Sequence, residues 1–105
     1  MEIILCLHNI RSTYNVGAIL RTADGFGIER AILSGYTPSP LNPTTLPHVA
    51  AKIGRQIEKT ALGAESTVPQ EWSNDLSETI KQYKADGYQI IGLENNVPGN
   101  QKVYQ

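Results

Sequence analysis

Two short apolar runs enclose a single amphipathic stretch near the start of this chain, and this arrangement limits the fold more than any other feature. Ile3 to Leu7 (IILCL) is a continuous apolar run of the kind that suits a strand covered on both faces, and Ala31 to Leu33 forms a second. Between them Val16, Ile19, Leu20, Ala23 and Phe26 recur at helical steps and form one stripe. Ser12 or Thr13 can cap the start of that helix, and Gly25 and Gly27 supply its stop. Strand, helix and strand make a βαβ unit, for which a right-handed crossover is strongly favoured, and the fold class is α/β with a parallel sheet.

The rest of the chain extends this pattern. Gly35 to His48 contains Pro38, Pro40, Pro43 and Pro47 among Ser, Thr and Asn, which predicts a long exposed loop, either a binding loop or a plain connector. Val49 to Leu62 reads as a weakly amphipathic helix, with Lys52, Arg55 and Lys59 about one turn apart on one face; this is either a solvated basic face or an RNA contact. A short strand is expected around Thr67 and Val68. Ser73 or Asn74 then caps a helix with apolar positions Leu76, Ile80 and Tyr83, and Gly87 closes it before a strand from Tyr88 to Leu93. Trp72 is placed to staple onto that helix, with RNA stacking as its alternative. After Glu94 the composition shifts to NNVPGNQKVYQ, without clear periodicity.

With 105 residues the chain suits one small domain. Its net charge of -1 argues against holding nucleic acid through a broad basic surface, so any RNA contact must be local. The lone Cys6 lies in an apolar run and reads as a reduced core residue, which fits the cytoplasm. The first residues carry no basic leader, and no apolar run approaches membrane-spanning length. His8 and His48 lie far apart without partner cysteines, so no metal site is expected.

Candidate chemistry concentrates where the first loop enters the first helix. At about 100° per residue, Arg21 lies roughly 160° from the centre of the apolar stripe, looking outward over bare backbone left by Gly17 one turn earlier. Asn15 would point some 120° away from Arg21 in regular helix, so the two can converge only if Asn15 belongs to the loop or first turn. Free N–H groups at the helix start, with Arg11 and Arg21, make this junction attractive to a phosphate. Taken singly, Arg21 could pair with Asp24, Asn15 could be a cap, and Gly17 a first-turn glycine; it is their combination in one segment that points to a site.

The segment NIRSTYNVGAILRTADGFGIERAILSG closely resembles the first motif of the SpoU/TrmH branch of the SPOUT methyltransferases. KTALGAE at Lys59 to Glu65 and GYQIIGLE at Gly87 to Glu94 resemble later parts of that family, in the expected order. The resemblance implies a Rossmann-like domain and transfer of a methyl group from S-adenosylmethionine to an RNA ribose 2'-hydroxyl, in transfer or ribosomal RNA. It matches Asn15 and Arg21 to the catalytic positions and Gly17 to a close-packing glycine, with Arg11, Ser12 and Gly17 at the substrate side. It also implies a homodimer in which one subunit's arginine completes the other's site. The family's Gly-Asn-Glu turn and Ser-Leu-Asn segment have no counterpart, so the chain, residues 1–105, looks like the amino-terminal part of such a domain, truncated before the trefoil knot, with the S-adenosylmethionine pocket expected outside it.

The resemblance assigns proton removal to the arginine, yet a neutral guanidinium at pH 7 to 8 costs about 7 kcal/mol. Holding a phosphate bidentately and stabilising a developing oxyanion is the more economical role, with Asn15 orienting the guanidinium. A non-catalytic RNA-binding or assembly module is the competing reading. A flavodoxin-like small-molecule binder is a third, weakened by the lack of a glycine-rich phosphate loop.

Overall fold

The computed structural model describes residues 2–97 and 100–104. Its elements in chain order are β1 (Ile3–His8), α1 (Thr13–Gly25), β2 (Arg30–Ser34), α2 (Pro47–Ala61), the single turn α3 (Ala64–Thr67), β3 (Gln70–Ser73), α4 (Leu76–Ala85), β4 (Gln89–Val97) and β5 (Asn100–Tyr104). The strands form one sheet in the order β3-β2-β1-β4-β5. The first four run parallel and β5 is antiparallel to β4. Chain order moves outward from β1 to β3 and then crosses back to the far side of β1, which places the reversal of the sheet between β1 and β4.

Strand alternation divides the core in two. Leu5, Leu7, Ala31 and Leu33 face α1 and α2, where they meet Val16, Leu20, Ala23, Ile57 and Ala61. Ile4, Cys6, Ile32 and Ile90 face the other way, against Leu76, Ile80, Tyr83 and Tyr88. Both faces of β1 and β2 are therefore apolar, and this is why their sequences read as unbroken runs rather than alternating ones. The α4 layer is the thinner of the two, since no residue of that helix is fully buried. Its Tyr83 and Tyr88 rings pack edge to face, with centroids 5.3 Å apart.

Several boundaries differ from the sequence expectation, each for a physical reason. Pro47 opens α2 rather than belonging to the loop, because proline's missing N–H costs nothing in a first turn. The helix is also more amphipathic than expected: Ile53, Ile57 and Ala61, four residues apart, pack inward, while Lys52, Arg55 and Lys59 are exposed. Thr67 and Val68 are not a strand; Thr67 ends the turn α3, and the strand follows at Gln70–Ser73. Asp75, not Ser73 or Asn74, caps α4, with its Oδ1 accepting the Glu78 N–H at 3.1 Å. Ser73 is occupied by the Thr79 hydroxyl at 2.8 Å, and Asn74 Oδ1 accepts the Trp72 indole N–H at 2.9 Å.

Trp72 cannot staple α4 because it packs into the cluster on the opposite face of the sheet. Phe26 leaves the stripe and is 81% exposed: α1 has ended, Gly27 turns the chain at φ +69°, and Ile28 fills the place against the core. Beyond Glu94, where no periodicity was legible, β4 continues to Val97 and pairs with β5 across an irregularity between Glu94 and Val97.

Candidate functional site

The loop after β1 is built by polar groups that tie it to the end of β2. Asn9 adopts φ +58°, a conformation asparagine tolerates, and its Oδ1 accepts the Tyr36 N–H at 3.1 Å. Thr37 is buried; its hydroxyl donates to the Leu7 carbonyl and accepts the Ile10 N–H, both at 3.1 Å. Gly35, at φ +66°, lies where a Cβ would run into the Asn9 side chain. These bonds fix the direction in which the chain enters α1.

Ser12 is the cap of α1. Its backbone is extended, and its Oγ accepts the Asn15 N–H at 3.0 Å. Asn15 is the third residue of the helix, in the first turn, yet this does not bring it to Arg21, because the two side chains line different hollows. Its half-buried side chain lines a depression of about 260 Å³ with Ile19 and with Leu93 of β4. Arg21 is exposed and lines a different hollow, of about 600 Å³, with Tyr14 from α1 and Lys59, Thr60 and Leu62 from the end of α2. Ala18 and Thr22 belong to both walls, so α1 stands as a ridge with Asn15 on its β4 side and Arg21 on its α2 side. Arg11 is exposed on the loop and lines neither. Arg21 makes no ion pair with Asp24 or with any other described residue.

Gly17 does not leave bare backbone beneath Arg21. It is buried against α2, and a Cβ there would overlap Thr60 Oγ1 and come within 2.5 Å of the Ile57 carbonyl and 2.9 Å of the Ala61 nitrogen. The glycine lets two helices touch, which is the close packing the resemblance implied, but α2 covers it and it does not stand at the substrate side; the contact is sealed by the Thr60 hydroxyl donating to the Tyr14 carbonyl at 2.9 Å.

A polar row not anticipated from the sequence crosses the carboxyl ends of the parallel strands on the α4 face. Ser73, Ser34, His8 and Glu94 are register partners across β3, β2, β1 and β4. His8 Nδ1 and Ser34 Oγ are 2.8 Å apart, and His8 Nε2 stands 4.0 Å from Glu94 Oε1. The sequence carried part of the signal: His8 and Ser34 each lie two residues past a core position of their strand, Cys6 and Ile32, whereas Ser73 and Glu94 follow Glu71 and Gly92. The residues one position earlier, Trp72, Leu33, Leu7 and Leu93, form an apolar row on the opposite, α1 face.

Two other groups on the α4 face hold their protons unusually tightly. Burial, reinforced by the Glu71 carboxylate, pushes the Cys6 thiol up to about 11. Burial and the hydrogen bond to Glu71 Oε1, at 2.7 Å, push Tyr83 up to about 12. Glu71 also lies 3.9 Å from Arg30.

The sequence model of the SpoU rRNA Methylase family matches residues 2–105. This chain belongs to that family. Relatives include the 23S rRNA (guanosine-2'-O-)-methyltransferase RlmB of Neisseria meningitidis, 33% identical over 92 residues, covering 88% of this chain and 32% of that protein. The protein of the same name from Nitrosomonas europaea is 28% identical, covering 91% of this chain and 32% of its own. The chain thus spans about a third of the length of the relatives it matches. Among solved structures, the A. aeolicus TrmH/SpoU tRNA modifying enzyme superposes with TM-score 0.69 at 14% identity over 91% of this chain and 53% of that one. The AdoMet-bound rRNA methyltransferase of Sinorhizobium meliloti gives 0.70 at 20% identity, over 94% of this chain and 41% of that one. The fold of this SpoU-family chain is that of the matched part of these methyltransferases.

The hollow beside Arg21 does not fit S-adenosylmethionine. The Arg21 hollow, the larger of the two beside the motif, is lined by two cations and no carboxylate, the wrong polarity for a sulfonium and an ammonium group. Among the described residues no three His, Cys, Asp or Glu side chains group as metal ligands, and no helix is long and apolar enough to cross a membrane.

Proposed function

We propose that this chain is the amino-terminal part of a domain that methylates the 2'-hydroxyl of an RNA ribose, with S-adenosylmethionine as methyl donor held by residues outside the chain. Family membership supports the reaction class, and the RlmB relatives, named as guanosine 2'-O-methyltransferases, support the ribose target. The observation that carries the reading to specific residues is Arg21, an unpaired guanidinium on a rigid helix at the wall of an open hollow. Arg21 would grip the phosphate beside the target ribose with paired N–H donors and stabilise the oxygen as it loses its proton. Asn15 would act from the other side of the α1 ridge, contacting the ribose or its neighbour rather than Arg21 itself. Arg11 would add charge at the loop, Ser12 holds the first turn in shape, and Gly17 sets the helix spacing. An exposed Arg21 becomes effective when covered, and a second copy of the subunit is the partner we infer, in the cytoplasm, where a buried thiol such as Cys6 stays reduced.

The test is methyl transfer from tritiated S-adenosylmethionine to RNA by the protein that contains this chain, scored as alkali-resistant linkages. Arg21→Ala is expected to lower kcat/KM by about a hundredfold or more, as loss of an oxyanion donor does. Arg21→Lys should recover little of it, because an ammonium cannot grip a phosphate bidentately. Transfer at the wild-type rate by Arg21→Ala would refute the assignment, and RNA bound without any transfer would establish the non-catalytic reading instead.

A further inference from the structure

The α1–α2 hollow has features that phosphate binding by Arg21 does not use. Tyr14 presents a ring 67% exposed on its wall, and Leu62, placed by a left-handed backbone at φ +51°, is 64% exposed beside it. Large apolar side chains standing in water at the rim of a pocket mark a contact surface. On the same wall Lys59 joins Arg21, and neither cation is in an ion pair or hydrogen bond with a described residue. In a chain of net charge -1, two unpaired cations in one hollow are a local concentration of positive charge.

The helices that carry these groups are held against each other. The Thr60 hydroxyl bonds to the carbonyl of Tyr14, so the backbone carrying the ring is tied to the residue next to Lys59. Gly17 holds the helices at the same contact. The backbones that carry the ring and the ammonium are thus held together across the hollow, and about 600 Å³ falls within the usual range for a ligand of nucleotide size.

Resting on the reading of the chain as part of an RNA-modifying enzyme, we infer that this hollow binds a nucleotide flanking the target in single-stranded RNA, with its base stacked on Tyr14 and its phosphate on Lys59. A base can stack on a protein ring only when it is free of its own helix, so the site selects unpaired RNA. Arg21 would then serve the target's own phosphate, and Lys59 with Tyr14 the nucleotide beside it. The basic face of α2 then divides: Lys59 contacts RNA, and Lys52, which does not line the hollow, stays solvated.

The experiment is fluorescence anisotropy of the protein that contains this chain with a labelled single-stranded RNA dodecamer of mixed sequence, across a salt series. Tyr14→Ala is expected to weaken binding about tenfold, within the span for one lost stacking contact, and Tyr14→Phe to restore it. Lys59→Gln should lower the slope of log affinity against log salt by about 0.7, one single-strand phosphate. Lys81→Gln, on α4, should change nothing. If Tyr14→Ala and Lys59→Gln bind like wild type while Arg21→Ala binds more weakly, the subsite is wrong and the RNA reading stands. If Lys59→Gln alone weakens binding, the stacking half fails and the inference with it. If the wild-type protein binds no RNA even at low salt, both this site and RNA recognition by the chain are overturned.

Discussion

At the scale of single residues, function and packing are kept on separate side chains even where they are sequence neighbours. Leu20 is fully buried and Arg21 beside it is exposed. Truncating Leu20 to alanine is expected to destabilise the fold by about 2–5 kcal/mol in urea titrations, since it removes buried methyl groups and leaves a void. Arg21→Ala should leave the urea midpoint close to wild type, and a large shift would mean that the arginine is structural. Cys6 offers a second test. With its thiol raised to about 11, almost no thiolate exists at pH 8, and alkylating reagents should label native protein far more slowly than unfolded protein. Equal rates would contradict the burial described.

Between elements, the contact of α1 with α2 governs the candidate site. Gly17→Ala would force a methyl group into the backbone of α2, which cannot move aside as a side chain would. We expect a loss of about 1–3 kcal/mol, the usual cost of overpacking, together with weaker RNA binding as the hollow widens. Thr60→Val, which keeps the shape and removes the hydroxyl, should affect RNA binding more than stability; unchanged binding would show that the bond to Tyr14 does not position the ring. On the other face, α4 is tied to β3 through Tyr83 and Glu71. Because Tyr83 and Cys6 bind protons more tightly folded than unfolded, they support the fold fully below pH 9. That support falls as pH rises from about 9 through 12. Urea midpoints measured over that range should decline, and Tyr83→Phe should flatten the upper part of the curve.

For the molecule as a whole, the α/β class and the first βαβ unit were legible from local pattern alone. Apolar runs, helical spacing and caps are short-range signals, and β1, α1 and β2 carry them strongly. What was not legible depends on pairing distant segments. The burial of Gly17 needs α2 laid across α1, the polar row needs four strands in register, and Trp72 could be assigned to a face only once β3 was paired with β2. The division of Asn15 and Arg21 between two hollows likewise depends on what flanks the helix, not on the helix itself. Phe26 at 81% and Leu46 at 60% exposure leave apolar surface on a small protein, so sedimentation at rising concentration is expected to reveal self-association. A single monomeric boundary at the highest attainable concentration would argue that the inferred subunit pairing needs more than this chain.

The two rows at the carboxyl edge of the sheet have a further consequence. Trp72, Leu33, Leu7 and Leu93 are oily and lie one step before the hydrophilic Ser73, Ser34, His8 and Glu94. Sliding any of these strands by a single residue would exchange the two sets, pushing a histidine or a carboxylate beneath α1 and a leucine against α4. The edge thus works as a key with one orientation: it rejects misaligned pairings during folding and so guarantees that the loop leading to Asn15 leaves the sheet from the same place every time.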